Sequence, residues 1–134
     1  VAADILGSLA NPDRVTWFEM PAVGALTLCT RLGQLDDAKV GLLLGSDAGV
    51  PGHLHSRATW QEVDFWVRRC GMPVERAIQA ATHDAAVAMG VGHESGTLAP
   101  GKYADVIAVR GDLLRSPDLL QFVDIVIKRG RRVR

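Results

Sequence analysis

Apolar positions along this chain recur at helical spacing in three places and in one unbroken run, and the run sets the frame. Residues 40–44 read Val-Gly-Leu-Leu-Leu without alternation and lead into Gly45-Ser46-Asp47, after which glycine and proline recur through residue 52. Such a run predicts a strand buried on both faces, as in a parallel sheet covered by helices. Before it, Val23, Leu26, Cys29 and Leu32 recur every three to four residues. This predicts a helix starting at Pro21 and ending at Gly33 or at the Asp36-Asp37 pair. After the run, Trp60, Val63, Trp66, Val67 and Cys70 form one stripe of a helix over 57–70, with Arg57, Gln61, Asp64 and Arg68 off it and Gly71 as its stop. Pro73 opens a further helix reaching Met89, closed by Gly90. Its inward side carries Val74, Ala77, Ile78, Ala81, Ala85 and Ala88, small side chains that imply close packing.

The pattern changes at Val91, where Gly92, Gly96, Pro100 and Gly101 punctuate short segments. A strand is expected over 103–110 with 106–109 buried, then a helical turn from Ser116 to Phe122. Two strands, 124–128 and 131–134, are expected to meet at the hairpin signal Arg129-Gly130. The chain thus divides into an α/β part over 1–90 and a β-rich part over 91–134. Residues 1–20 show little periodicity: Asn11-Pro12-Asp13 is a turn signal, and Trp17 to Met20 suit a short extended piece or loop.

Composition narrows the classes. The 134 residues are the length of one domain, and 48% apolar content excludes a disordered tail. Fifteen basic and fifteen acidic side chains cancel, which argues against general binding to nucleic acid or a membrane surface. No apolar run approaches the roughly 20 residues of a membrane span. Val1-Ala2-Ala3-Asp4 does not open a signal peptide, so a soluble cytoplasmic protein is expected. In that compartment Cys29 and Cys70 are expected to be buried thiols rather than a disulfide.

Candidate chemistry is sparse. Asp47 places a carboxylate at the carboxyl end of the expected strand, where α/β folds do their chemistry, and could ligate a metal or act as a base on metal-activated water. A plain turn or cap role is the competing reading. His53-Leu54-His55 could offer two imidazoles to zinc, but the nearby sequence holds no cysteine or further histidine to complete about four ligands. Loop histidines lining a cleft are the better reading. His83 reads as a hydrogen-bonded packing residue and His93 as exposed. Phosphate-loop, dinucleotide and nucleophile-elbow motifs are absent; in Gly45-Ser46-Asp47-Ala48-Gly49 the serine stands one place early. The basic ending from Lys128 to Arg134 reads as a solvated strand face.

Three ordered motifs together resemble the C-terminal part of a metal-dependent amidohydrolase, in the subgroup of imidazolonepropionase-like enzymes and prolidases. They are Gly45-Ser46-Asp47-Ala48-Gly49, the segment from Gly71-Met72-Pro73 to Met89-Gly90, and Gly96-Thr97-Leu98-Ala99-Pro100-Gly101-Lys102-Tyr103-Ala104-Asp105-Val106-Ile107. The ending Val126 to Val133 is similar to the family's closing hairpin, and the likeness covers about residues 40–134.

The resemblance implies the C-terminal part of a (β/α)8 TIM-type barrel followed by strands of a small β-sandwich domain. It implies one or two divalent metals, usually zinc, and attack of metal-activated water on the carbon of an amide, dipeptide or cyclic amide. Asp47 matches the family's eighth-strand aspartate, a metal ligand and proton acceptor. His53 matches a position at the substrate end of the site, and Asp105 looks structural. The family's His-x-His pair, bridging lysine and later histidines have no counterparts here. The chain is therefore expected to be a portion inactive alone, associating with the rest of the barrel or with further copies of itself. The alternatives are a non-catalytic self-associating module and a small metal-binding domain using Asp47, His53 and His55.

Overall fold

The computed structural model describes residues 22–49 and 54–134; the expectations for residues 1–20 and for His53 lie outside them. Helix α1 (Ala22–Asp37) runs through Gly33 and stops at the aspartate pair. Its end is closed by backbone. Lys39 adopts a left-handed φ of 58°, and the amides of Lys39 and Val40 donate to the carbonyls of Asp36 and Leu35, both at 3.0 Å. This is a Schellman closure with lysine where glycine is usual.

The expected strand over 40–44 is not found. Among the described residues it joins no ladder, and its burial alternates: Leu42 is 8% exposed, Leu43 is 50% exposed and Leu44 is half-buried. The inward side rests on a core cluster that includes Ala77 and Ala80, and the Leu44 amide donates to the Ala80 carbonyl at 3.3 Å. A strand buried on both faces needs cover on both sides. The described residues supply one.

Helix α2 (His55–Asp64) passes directly into a π-helical turn, Phe65–Arg69. The wider turn alters the buried face, because an i→i+5 turn brings one more residue inward than a 3.6-residue period allows. Phe65, off the expected stripe, is completely enclosed beside Val63 and Trp66, while Trp60 and Val67 are only half-buried.

The single helix expected over 73–89 is two, α3 (Val74–Ala81) and α4 (His83–Ala88). They part at Thr82 (φ −123°, ψ −82°), whose hydroxyl donates back to the Ile78 carbonyl at 2.7 Å. The break accommodates a neighbouring stretch of chain. Gly96 lies so close that a Cβ there would fall 2.6 Å from the Ala86 Cβ and 3.1 Å from the Thr82 carbonyl oxygen. The inward residues shift accordingly, to Val74, Ala77, Ala80 and Ala86, with Ala88 exposed.

Cys29 and Cys70 form a disulfide, contrary to the expected free thiols. Their Cα atoms stand 4.7 Å apart although 41 residues separate them in sequence. The seating of α1 against the end of the π-helical turn brings them together, and no local spacing announces it.

Beyond residue 90 the backbone forms one antiparallel sheet in the order β1–β2–β3: β1 (Val106–Val109), β2 (Val123–Lys128) and β3 (Arg131–Arg132). Val106 pairs with Ile127 and Ala108 with Ile125, and a bulge follows at Ala108/Val109. The expectation that 106–109 would be buried fails at Ile107, which is 52% exposed, and at Ala108. A 3-10 turn, Pro117–Gln121, leads into β2 and sets Leu120 against the main core. Arg129 and Gly130, with φ of 48° and 76°, make the expected tight hairpin turn. Asp105 proves structural: its Oδ1 accepts the Arg129 amide at 2.7 Å and its Oδ2 meets the Lys128 ammonium.

Candidate functional site

The site candidate is built on the turn after residue 44. With Leu42 and Leu44 held against α3, the chain reaches Asp47 in a left-handed conformation, φ 49°. Asp tolerates that region better than most residues but still at a cost, and such outliers gather at functional sites. Gly49 follows at φ 119°, a conformation that excludes a side chain whatever the space. The imidazole of His55, the first residue of α2, lies over this turn: its Nε2 is 3.5 Å from where a Gly49 Cβ would stand.

Asp47, Gly49 and His55 are thus drawn to one corner, where Asp47 is exposed to solvent. A polar cleft of about 500 Å³ runs along the first turns of α2, lined by Ser56, Arg57, Trp60, Gln61 and Gln121. The donor chemistry suits a divalent metal in part. The Asp47 carboxylate is a hard oxygen donor, yet among the described residues no group of three His, Cys, Asp or Glu side chains comes together. These residues do not make a complete metal site by themselves.

The other histidines sit elsewhere. His93 is exposed in a turn, as expected. His83 is hydrogen-bonded, as expected, through Nδ1 to Asp84 at 2.8 Å, but it is exposed rather than packed.

It belongs to a polar network that sequence patterning did not reveal. Arg76, on α3, donates Nε to Asp36 at the end of α1 and Nη1 to Asp84 on α4, both at 2.8 Å. The His83 hydrogen bond, joined by those of Gln79 and Arg76, holds the Asp84 carboxyl below its ordinary value of 3.8 against the opposing cost of burial. The hydrogen bond to Asp36 leads the causes that raise the Arg76 pKa. This network ties α1, α3 and α4 around the segment that carries Asp47. The one signal available was the placement of Arg76 and Asp84 in what reads as a single helix; Asp36 gave none.

On the opposite side of α3, a largely apolar groove of about 620 Å³ lies between the helices and the 95–107 segment, lined by Val63, Ile78, Ala86, Leu98 and Val106 among others.

The described residues make a partial α/β unit that ends in a small antiparallel sheet. The amidohydrolase family profile matches residues 29–133, and the chain belongs to this family. Solved structures agree. The chain is 32% identical to a putative prolidase from Bifidobacterium longum (TM-score 0.65), covering 75% of this chain and 24% of that one. It is 27% identical to a Xaa-Pro dipeptidase crystallised with methionine in its active site (TM-score 0.76; 97% of this chain, 32% of that one). Against ochratoxinase from A. niger the identity is 29% (TM-score 0.78; 98% and 30%). The chain spans about a quarter to a third of the length of these structures. No curated protein sequence matches it significantly. No helix among the described residues is long and apolar enough to cross a membrane.

Proposed function

We propose that this chain is the C-terminal portion of a metal-dependent amidohydrolase that cleaves the C–N bond of a small amide, dipeptide or cyclic amide. The observation that carries the reading is the family match across residues 29–133 with Asp47 held left-handed at the solvent-facing end of its segment. In this reading residues 1–90 belong to the barrel and 91–134 to a small β-sandwich, and the protein is cytoplasmic.

A divalent metal, zinc by preference, would supply acidity to a water molecule and stabilise charge developing on the substrate. Asp47 is the ligand this reading assigns to the chain, the remainder coming from elsewhere in the protein. Its carboxylate would take the proton from the attacking water, and the turn from Asp47 to Gly49 sets where that proton acceptor stands. In this reading His53 contributes to the substrate end of the site. The chain alone is then inactive.

In the complete protein, Asp47→Asn should keep the fold and lower kcat by about a thousandfold, within the range for loss of a general base. Chelation should abolish turnover and added zinc restore it. An Asp47→Asn protein that turns over normally would remove Asp47 from the chemistry.

A second reading, self-association of the chain, is favoured by its exposed large apolar side chains: Leu98 is 79% exposed and Phe122 is 63% exposed.

A further inference from the structure

We propose that the Cys29–Cys70 disulfide is a reducible clip: its thiol–disulfide state sets how firmly α1 and the 38–47 segment leading to Asp47 are seated. Such a clip lies outside hydrolase chemistry and would operate without it.

The geometry points there because few of the described side chains of α1 are buried. Its outward side leaves Leu26 70% exposed and Leu35 42% exposed, and among its described side chains Leu32, at 8% exposure, is the one that is buried. Half-buried Ala25 and Leu28 pack against the same core, the Asp36–Arg76 ion pair ties the end of the helix, and the covalent bond anchors its middle. The bond joins the middle of α1 to Cys70, the residue that caps the π-helical turn. Both cysteines are half-buried against the rim of the core rather than enclosed in it, which leaves a route for an attacking thiolate.

The segment after α1 is equally loose: residues 40–44 have no ladder among the described residues and rely on Leu42, Leu44 and one backbone hydrogen bond to α3. A tether on α1 therefore also restrains the approach to Asp47.

The exchange is balanced. A dithiol reductant attacks one cysteine sulfur as thiolate, the Cys29–Cys70 bond breaks, and a mixed disulfide forms while the other cysteine leaves as thiolate and takes a proton. The reductant's second thiolate then displaces the first cysteine, which is protonated in turn. The reductant ends as a disulfide and the protein gains two thiols. A disulfide oxidant reverses the sequence.

The test uses the full chain. Maleimide labelling followed by mass spectrometry should show neither cysteine modified before reduction and both modified after it. Hydrogen exchange measured in parallel should quicken by about tenfold or more in α1 and 38–47 on reduction, with the α3 core and the β1–β2 pair unchanged. A Cys29→Ser/Cys70→Ser variant should show the reduced pattern whatever the redox buffer, and adding reductant to it should change nothing. Labelling of both cysteines without reductant overturns the proposal. So does unchanged exchange in α1 after reduction, or loss of protection throughout the chain, which would make the bond a global staple rather than a local clip.

Discussion

At single residues the backbone makes the sharpest statements. Lys39 occupies a left-handed position that glycine fills without a Cβ penalty. Lys39→Gly should therefore raise stability by about 1 kcal/mol, read as a higher urea midpoint at unchanged m value. Gly96 is the opposite case. Its φ of 87° and the 2.6 Å approach to the Ala86 Cβ leave no room for a methyl group. Gly96→Ala should cost about 3 kcal/mol, combining left-handed strain with overpacking at the Thr82 break. A variant as stable as the parent in thermal unfolding would mean that the 95–97 segment can withdraw from the helices. Asp47, at φ 49°, shares the left-handed region, which aspartate tolerates better than lysine does.

At the scale of elements, the Arg76 network makes a pH prediction whose sign is fixed. Asp84 has a folded pKa below its unfolded value, mainly through the His83 hydrogen bond, so between the two values the unfolded chain binds more protons. Its stabilisation is fully present above the ordinary value of 3.8 and is lost as pH falls through the depressed folded value. Asp84→Asn should flatten that acid limb of the stability curve; an unchanged limb would show that other carboxylates set it. The same network shows what periodicity could not disclose. The closing hairpin was legible because Arg129-Gly130 is a local signal, and the end of α1 was legible from Asp36-Asp37. The π-helical turn that buries Phe65, the break at Thr82 and the Cys29–Cys70 bond were not, since none of them follows from the spacing of apolar residues. For the site, Asp47 stood out by position alone, whereas the placement of His55 over Gly49 depends on how α2 folds back.

Across the whole molecule, several large apolar side chains of the described residues stand exposed. Leu43 is 50% exposed on the outward side of a segment that joins no ladder among the described residues, and Ile107 is 52% exposed on β1. In the order β1–β2–β3, β1 is an outer strand whose second edge is unpaired within the described sheet. Open edges beside apolar side chains recruit further chain, whether the rest of a barrel or a second copy. Produced alone, the chain should therefore gain mass with concentration in light scattering. Charging this face should reverse the gain: Ile107→Lys with Leu98→Lys places two charges where association would bury them, and the variant should stay monomeric while retaining its circular dichroism. A parent chain that remains a monodisperse monomer at high concentration would show that these side chains are covered by rearrangement within the chain, and the need for an external partner would fall with it.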